Sequence, residues 1–343
     1  MGKDEFMQKT YIKQFPYIRI FACFAIVVLH TLFASNAYYD GLITGTEKLV
    51  TQTAENMLMW AVPCFLMITG ALLLDENKSL TGKKIFKYTR RMVISLLVFT
   101  LLFQILDYAT GFQKTLFSGW LYRLFTGQSW AHMWYLYLMI GLYLMMPFYK
   151  MVADHATDRQ MWGLIGSIVL FVSLLPLSRI FGLEPGFYIP TTMIYPAYLF
   201  LGHMFRKKSL GRAESWMLFL IPSVIIIMLS TYCSAVLGQM SDETFQILFG
   251  YGSIPVVLQT AGIYNLLMNI DVKERSRVNT LNDCSFGIYL IHMIFVTASM
   301  KWFGFNPYRY NFLIFIGMAL VFFVAAFIIT YILRKIPKVS TIL

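Results

Sequence analysis

Residues 16–33 read PYIRIFACFAIVVLHTLF. With its flanking residues, this apolar run is long enough to cross the ~30 Å hydrocarbon layer of a bilayer as a helix. Two polar side chains interrupt it, Arg19 and His30. Arg19 enters close to one membrane face, and His30 lies ~16 Å further along the axis, near mid-bilayer. Eleven residues turn an α-helix three times plus ~20°, so both side chains share one face. Either group facing lipid would cost several kcal/mol, so the stripe faces protein or a water-filled cavity. Arg19 alone also fits a side chain that snorkels to the headgroups, and His30 alone fits a bond to a neighbouring helix. A mid-membrane ionisable group nevertheless reads first as functional. Neutral imidazole takes a proton on one nitrogen while a partner orients the other. The pair therefore points to an anionic ligand arriving past Arg19, with proton transfer deeper in.

The rest of the chain belongs to the same solvent. Its 343 residues are 58% hydrophobic and 13% charged, with a mean hydropathy of +0.63. Soluble domains average about 25% charged residues, so the expectation is an all-α, polytopic membrane protein. The 30 Phe, 21 Tyr and 7 Trp suit lipid contact and interfacial aromatic belts. Runs of sufficient length predict about ten spans, over 17–38, 53–74, 92–109, 132–151, 160–180, 188–205, 215–236, 250–270, 284–303 and 311–333. They form one membrane domain over 1–343, with no repeat or linker to divide it. The sixth span is short and carries Pro190 and Pro196, which predicts a kink or break.

A net charge of +11 would suit a nucleic-acid partner if it were spread evenly, but 22 of the 28 Lys and Arg fall in loops on one side. Nucleic acid is therefore not an expected partner, and the positive-inside rule places both termini in the cytoplasm. A cleaved signal peptide ending near FASNA is the competing reading of the N-terminus, but the apolar stretch is long for one. Cys23, Cys64, Cys233 and Cys284 lie in or beside apolar runs without CxxC or Cys/His pairing, so they read as small buried hydrophobes, with no metal site.

A second cationic group sits at the mouth of the third span, in KKIFKYTRRM: Lys83, Lys84, Lys87, Arg90 and Arg91. Positions 84, 87 and 91 share a helical face, with Arg90 beside them. Such a group fits phosphate binding, and it equally fits an ordinary positive-inside loop on anionic lipid. His292 falls mid-span in the ninth run, where it could orient His30, line a tunnel or bridge helices. His132, at the outer start of the fourth run, is flanked by Trp130, Trp134 and Tyr135, an arrangement common to interface belts and sugar platforms. Glu55 and Asp107 fall near the outer edge, and Asp283 reads as an N-cap opening the ninth helix.

Five stretches in order carry a resemblance. Arg19 and His30, VPCFLMITGALLL (62–74), KYTRR (87–91), HMWYLYLMIGLYLMMPF (132–148) and CSFGIYLIHMIFV (284–296) together resemble the acyltransferase-three family of integral-membrane acyltransferases. The departures are Thr69 where Ser is usual before Gly70, Lys87 for the first Arg of Arg-x-x-Arg, and Met293 where Pro commonly follows His292. Lys keeps the charge and loses the bidentate fork. The likeness is to the stand-alone type, which includes O-acetyltransferases of enterobacterial common antigen and the membrane protein of poly-N-acetylglucosamine adhesin operons.

The resemblance implies an O-acyltransferase of the cell membrane, with no bound cofactor. It would move an acyl group, usually acetyl, from acetyl-CoA to a hydroxyl of a cell-surface glycan or envelope precursor. Arg19 and His30 would be the catalytic pair, and Lys84, Lys87, Arg90 and Arg91 would hold the donor's phosphates. His30 would be general base or would itself accept the acyl group. His132, Trp134, Tyr135, His292 and Glu55 are the candidates for acceptor or tunnel contacts. A transporter or flippase of a glycan or lipid-linked sugar is the alternative, and it predicts internal repeats and paired broken helices.

Overall fold

The computed structural model describes residues 12–187, 189–237 and 241–343. Lys3 and Lys9 of the charge count lie outside the described residues. The described chain is helical, with no strand among those residues. In order, the helices are α1 (Phe15–Tyr39), α2 (Gly45–Asn56), α3 (Ala61–Leu73), α4 (Gly82–Ala109), α5 (Phe117–Thr126), α6 (Trp134–His155), α7 (Asp158–Val169), α8 (Ile194–Lys207), α9 (Arg212–Tyr232), α10 (Asp242–Leu248), α11 (Ile254–Met268), α12 (Ser276–Thr297), α13 (Leu313–Leu333) and α14 (Pro337–Ser340). Among the described residues, eight helical segments are long and apolar enough to cross a membrane, with α2 and α3 counted as one and α7 continued by irregular turns to Phe181. The protein is an all-α polytopic membrane protein. The other two expected spans coincide with shorter helices, α8 of 14 residues behind a 3₁₀ turn over Thr191–Met193, and α11 of 15 residues.

Boundaries follow local chemistry. Thr44 and Glu47 form a capping box at α2, and Thr157 and Gln160 form another at α7. Pro176 lacks the N–H that would bond back to residue 172, and α7 widens into a π-turn over Leu170–Leu174 just before it. The second span breaks at Met57–Trp60 into α2 and α3. Helices also extend beyond the hydrocarbon, since only the lipid-facing part need be apolar: α4 begins ten residues before the apolar run, and α12 begins at Ser276. Asp283 therefore lies two turns inside α12 and is not its N-cap.

The core is built around α1, which packs against α2, α3, α12 and α13, while α7 and α9 lie at the periphery with most side chains outward. Close helix contact needs small residues, because lipid gives little hydrophobic drive for helices to associate. The α3–α8 crossing is reciprocal: Gly70 lies on the Leu199 backbone, and Gly202 lies on the Met67 backbone. A Cβ at either position would overlap its partner's main chain. All four cysteines are free and buried.

Candidate active site

His30 comes from the middle of α1 and His292 from the middle of α12, and tight α1–α12 packing brings their rings together. The rings are near-parallel, with centroids 5.1 Å apart, and His30 Nδ1 lies 2.8 Å from His292 Nε2. The other nitrogen of His292, Nδ1, lies 3.1 Å from the Ile288 carbonyl. A carbonyl only accepts, so His292 carries its proton on Nδ1 and presents Nε2 as an acceptor. His30 must then donate from Nδ1, which leaves its Nε2 with a bare lone pair. The interaction that fixes the ring also sets its chemistry, and His30 is poised as a base or nucleophile.

His132 completes a trio. Its ring centroid is 6.1 Å from that of His30 and 5.7 Å from that of His292, edge-on to both. His132 Nε2 lies 3.3 Å from the Leu290 carbonyl, so this nitrogen is the donor, and Nδ1 has no hydrogen-bond partner among the described residues. The Tyr289 hydroxyl donates to the His132 carbonyl. Sequence placed His132 at the outer edge of the fourth span. It lies at the start of that span, on a 3₁₀ turn over Ala131–Met133 that sets its ring beside that of His30. Above it Phe103 of α4 lies 5.3 Å from the His132 ring and stacks on Trp130 at 4.2 Å.

On the side where α1 begins, a cavity of about 340 Å³ reaches Ile26, Tyr135 and Tyr289, one helical turn short of the histidine pair. Arg19, Arg91 and Arg334 line it with Tyr143, Asn282, Asp283 and Ser285. Arg19 makes no hydrogen bond or ion pair with a described residue, so its guanidinium is available to a ligand. Arg91 stacks over Phe286 at 4.8 Å and meets the Ile342 carbonyl at 3.3 Å. Arg334 bonds the Leu343 carbonyl at 2.8 Å, with Asp283 4.0 Å away. Lys78, in the loop between α3 and α4, extends this positive field. Burial pulls its ammonium below the ordinary lysine value, Lys84, Arg206 and Arg19 add to that, and Asp75 opposes it.

Of the residues picked out by sequence, Arg19, His30 and His292 line one path along α1 and α12, with His132 beside it. Tyr135 lines the cavity and contacts Tyr289. Only Arg91 of the KKIFKYTRRM cluster turns inward. Lys84 bonds the Ser79 carbonyl at 2.8 Å, Lys87 is exposed, and Arg90 is exposed beside Phe86. Trp134 stacks on Tyr251 at 5.4 Å, away from the histidines. Glu55 accepts from Asn36, whose side-chain oxygen receives the Thr51 and Tyr308 hydroxyls, so it belongs to a polar knot joining α1 and α2. Arg334 escaped the sequence reading because a cation after the last span is the usual signature of topology. No group of residues suited to a metal ion occurs among the described residues.

A family model described as an acyltransferase domain, that of the acyltransferase-three family, matches residues 12–335. No curated protein and no solved structure matches. The chain belongs to the acyltransferase-three family and is a membrane acyltransferase.

Proposed function

We propose that the protein is an O-acyltransferase of the cell membrane that moves an acetyl group from cytoplasmic acetyl-CoA to a hydroxyl of a cell-surface glycan or envelope precursor. The observation that carries this reading is the vertical order of the site, in which an arginine-lined cavity ends one turn below a histidine whose Nε2 lone pair is free. The basic loops put the cavity mouth and both termini in the cytoplasm.

Arg91 and Arg334 suit bidentate contact with the donor's phosphates, with Lys84, Lys87 and Arg90 as an outer field and Arg19 further along the thioester arm. His30 Nε2 takes the proton of the acceptor hydroxyl as its oxygen attacks the thioester carbonyl carbon. The C–S bond then breaks, and the departing thiolate recovers the proton from His30. The same lone pair serves the variant in which His30 first carries the acyl group and then passes it to the hydroxyl. His292 is the positioning residue, sharing the Nδ1 proton of the imidazolium as it forms.

Mass spectrometry of surface glycans tests the reading, comparing native protein with His30→Ala at matched membrane abundance. The O-acyl increment disappears and the amount of glycan persists. Surviving acylation, or loss of the glycan from the surface, overturns it.

A further inference from the structure

The wall above the histidines holds three buried atoms of one kind. His132 Nδ1, Gln104 Oε1 and Asp107 Oδ1 are all hydrogen-bond acceptors, and none has a hydrogen-bond partner among the described residues. His132 and Gln104 are fully buried, and Asp107 is 3% exposed. Gln104 follows Phe103, which touches the His132 ring, and Asp107 stands one turn further out on the same face of α4. Trp130, which stacks on Phe103 and bonds Asp107, ties this part of α4 to the neighbourhood of His132. Of the donors nearby, Arg123 Nη1 at 2.7 Å and Trp130 Nε1 at 3.1 Å both bond Asp107 Oδ2. Lys301 approaches Oδ1 only to 3.7 Å.

Each buried acceptor without a hydrogen-bond partner costs about 1–3 kcal/mol, so three of them on one wall would gain from added donors. A ligand rich in donors supplies them. Hydroxyls satisfy this requirement; an apolar chain or a further anion does not.

The cover over this wall is α5, which buries none of its own side chains. Polar ties hold it down: Trp120 Nε1 to Thr100 at 3.0 Å, Arg123 to Asp107, and Tyr137 to the Leu124 carbonyl at 2.6 Å, with Gln104 Nε2 on the Thr115 carbonyl just before it at 2.6 Å. A helix held by hydrogen bonds and little burial is one that opens locally.

We propose that Gln104, Asp107 and His132 form the acceptor's binding site, taking hydrogen bonds from a polyhydroxylated, sugar-like ligand that enters as α5 lifts. This rests on the acyltransferase reading given above and names the groups that select its second substrate.

The test measures two things on the full-length protein at matched abundance. One is the rate of O-acyl accumulation on envelope glycans after induction. The other is thermal stabilisation of the detergent-purified protein by coenzyme A. Gln104→Leu slows acylation roughly tenfold, the loss of one hydrogen bond in a desolvated site, and leaves stabilisation by coenzyme A unchanged. Trp120→Phe removes one of α5's ties without touching the acceptor atoms, and it acylates at or above the native rate. The inference is overturned if Gln104→Leu acylates normally, if it loses the coenzyme A response as well, or if Trp120→Phe falls as far. If native protein shows neither acylation nor a coenzyme A response, the acyltransferase reading itself fails and takes this inference with it.

Discussion

His292→Ala separates a catalytic histidine pair from two helices that merely touch. In the native protein His292 Nε2 accepts from His30 Nδ1 at 2.8 Å, and Ile288 holds the accepting tautomer in place. As the acceptor's proton reaches His30, this bond becomes one to an imidazolium. A hydrogen bond to a charged group is worth about 1.5–3 kcal/mol, which corresponds to a rate loss of roughly 10- to 150-fold. The loss belongs to kcat, because the bond strengthens only as charge develops. The KM for acetyl-CoA stays put, because Arg19 is ~16 Å from the histidine along α1 and Arg91 and Arg334 are untouched. His292→Gln carries an amide oxygen near the Nε2 position and recovers part of the rate. The assay is the initial rate of label transfer from acetyl-CoA in membrane vesicles bearing the endogenous glycan, normalised to folded protein by fluorescence-detected size exclusion. A kcat within twofold of native, or a raised KM at unchanged kcat, refutes the argument.

The donor cavity and the helix crossing give two further tests. Arg334→Ala raises the KM for acetyl-CoA about tenfold through loss of a charge-assisted contact, whereas Lys87→Ala, exposed and screened by salt, changes it less than threefold; steady-state kinetics that reversed this order would place the donor elsewhere. Gly70→Ala forces a methyl into the Leu199 backbone and destabilises the protein by about 1–3 kcal/mol. A thiol-reactive dye that reports exposure of the four buried cysteines reads this as a lowered melting temperature, and an unshifted melt would show that the crossing can yield.

The sequence carried the membrane architecture because hydrocarbon thickness constrains each span by itself. The Arg19/His30 stripe was equally legible, since it depends only on the period of one helix. The histidine trio was not, because its members come from α1, α12 and the turn before α6, and only packing brings those together. The part of His132 in the trio was hidden for a definite reason. Trp130, Trp134 and Tyr135 have the composition of an interface belt, yet the 3₁₀ turn sets the His132 ring 6.1 Å from that of His30. Within KKIFKYTRRM, residue type alone could not tell Arg91, which turns inward to Phe286, from Arg90 beside it, which turns out to Phe86. The second span breaks at Met57–Trp60, and Pro63, in the first turn of α3, lacks the N–H that would bond back to Met59.

A carboxylate is the common orienter of a catalytic histidine, and in the proposed mechanism a second histidine takes that place. Membrane burial supplies the reason. A carboxylate beside His30 would bring a permanent charge to mid-bilayer, where desolvation is costly and a partner must be found for it. A neutral imidazole does the orienting with no charge at rest. The protein's acids near this axis are held apart from the trio by partners of their own: Asp283 faces Arg334, Asp107 bonds Arg123, and Glu55 bonds Asn36. In the proposed mechanism charge then appears at the centre only while the acceptor's proton is on His30, and it disappears as the departing thiolate takes that proton. On this proposal a neutral resting site also lets an uncharged hydroxyl approach from one side while the cations gathered around Arg19 hold the anionic donor on the other.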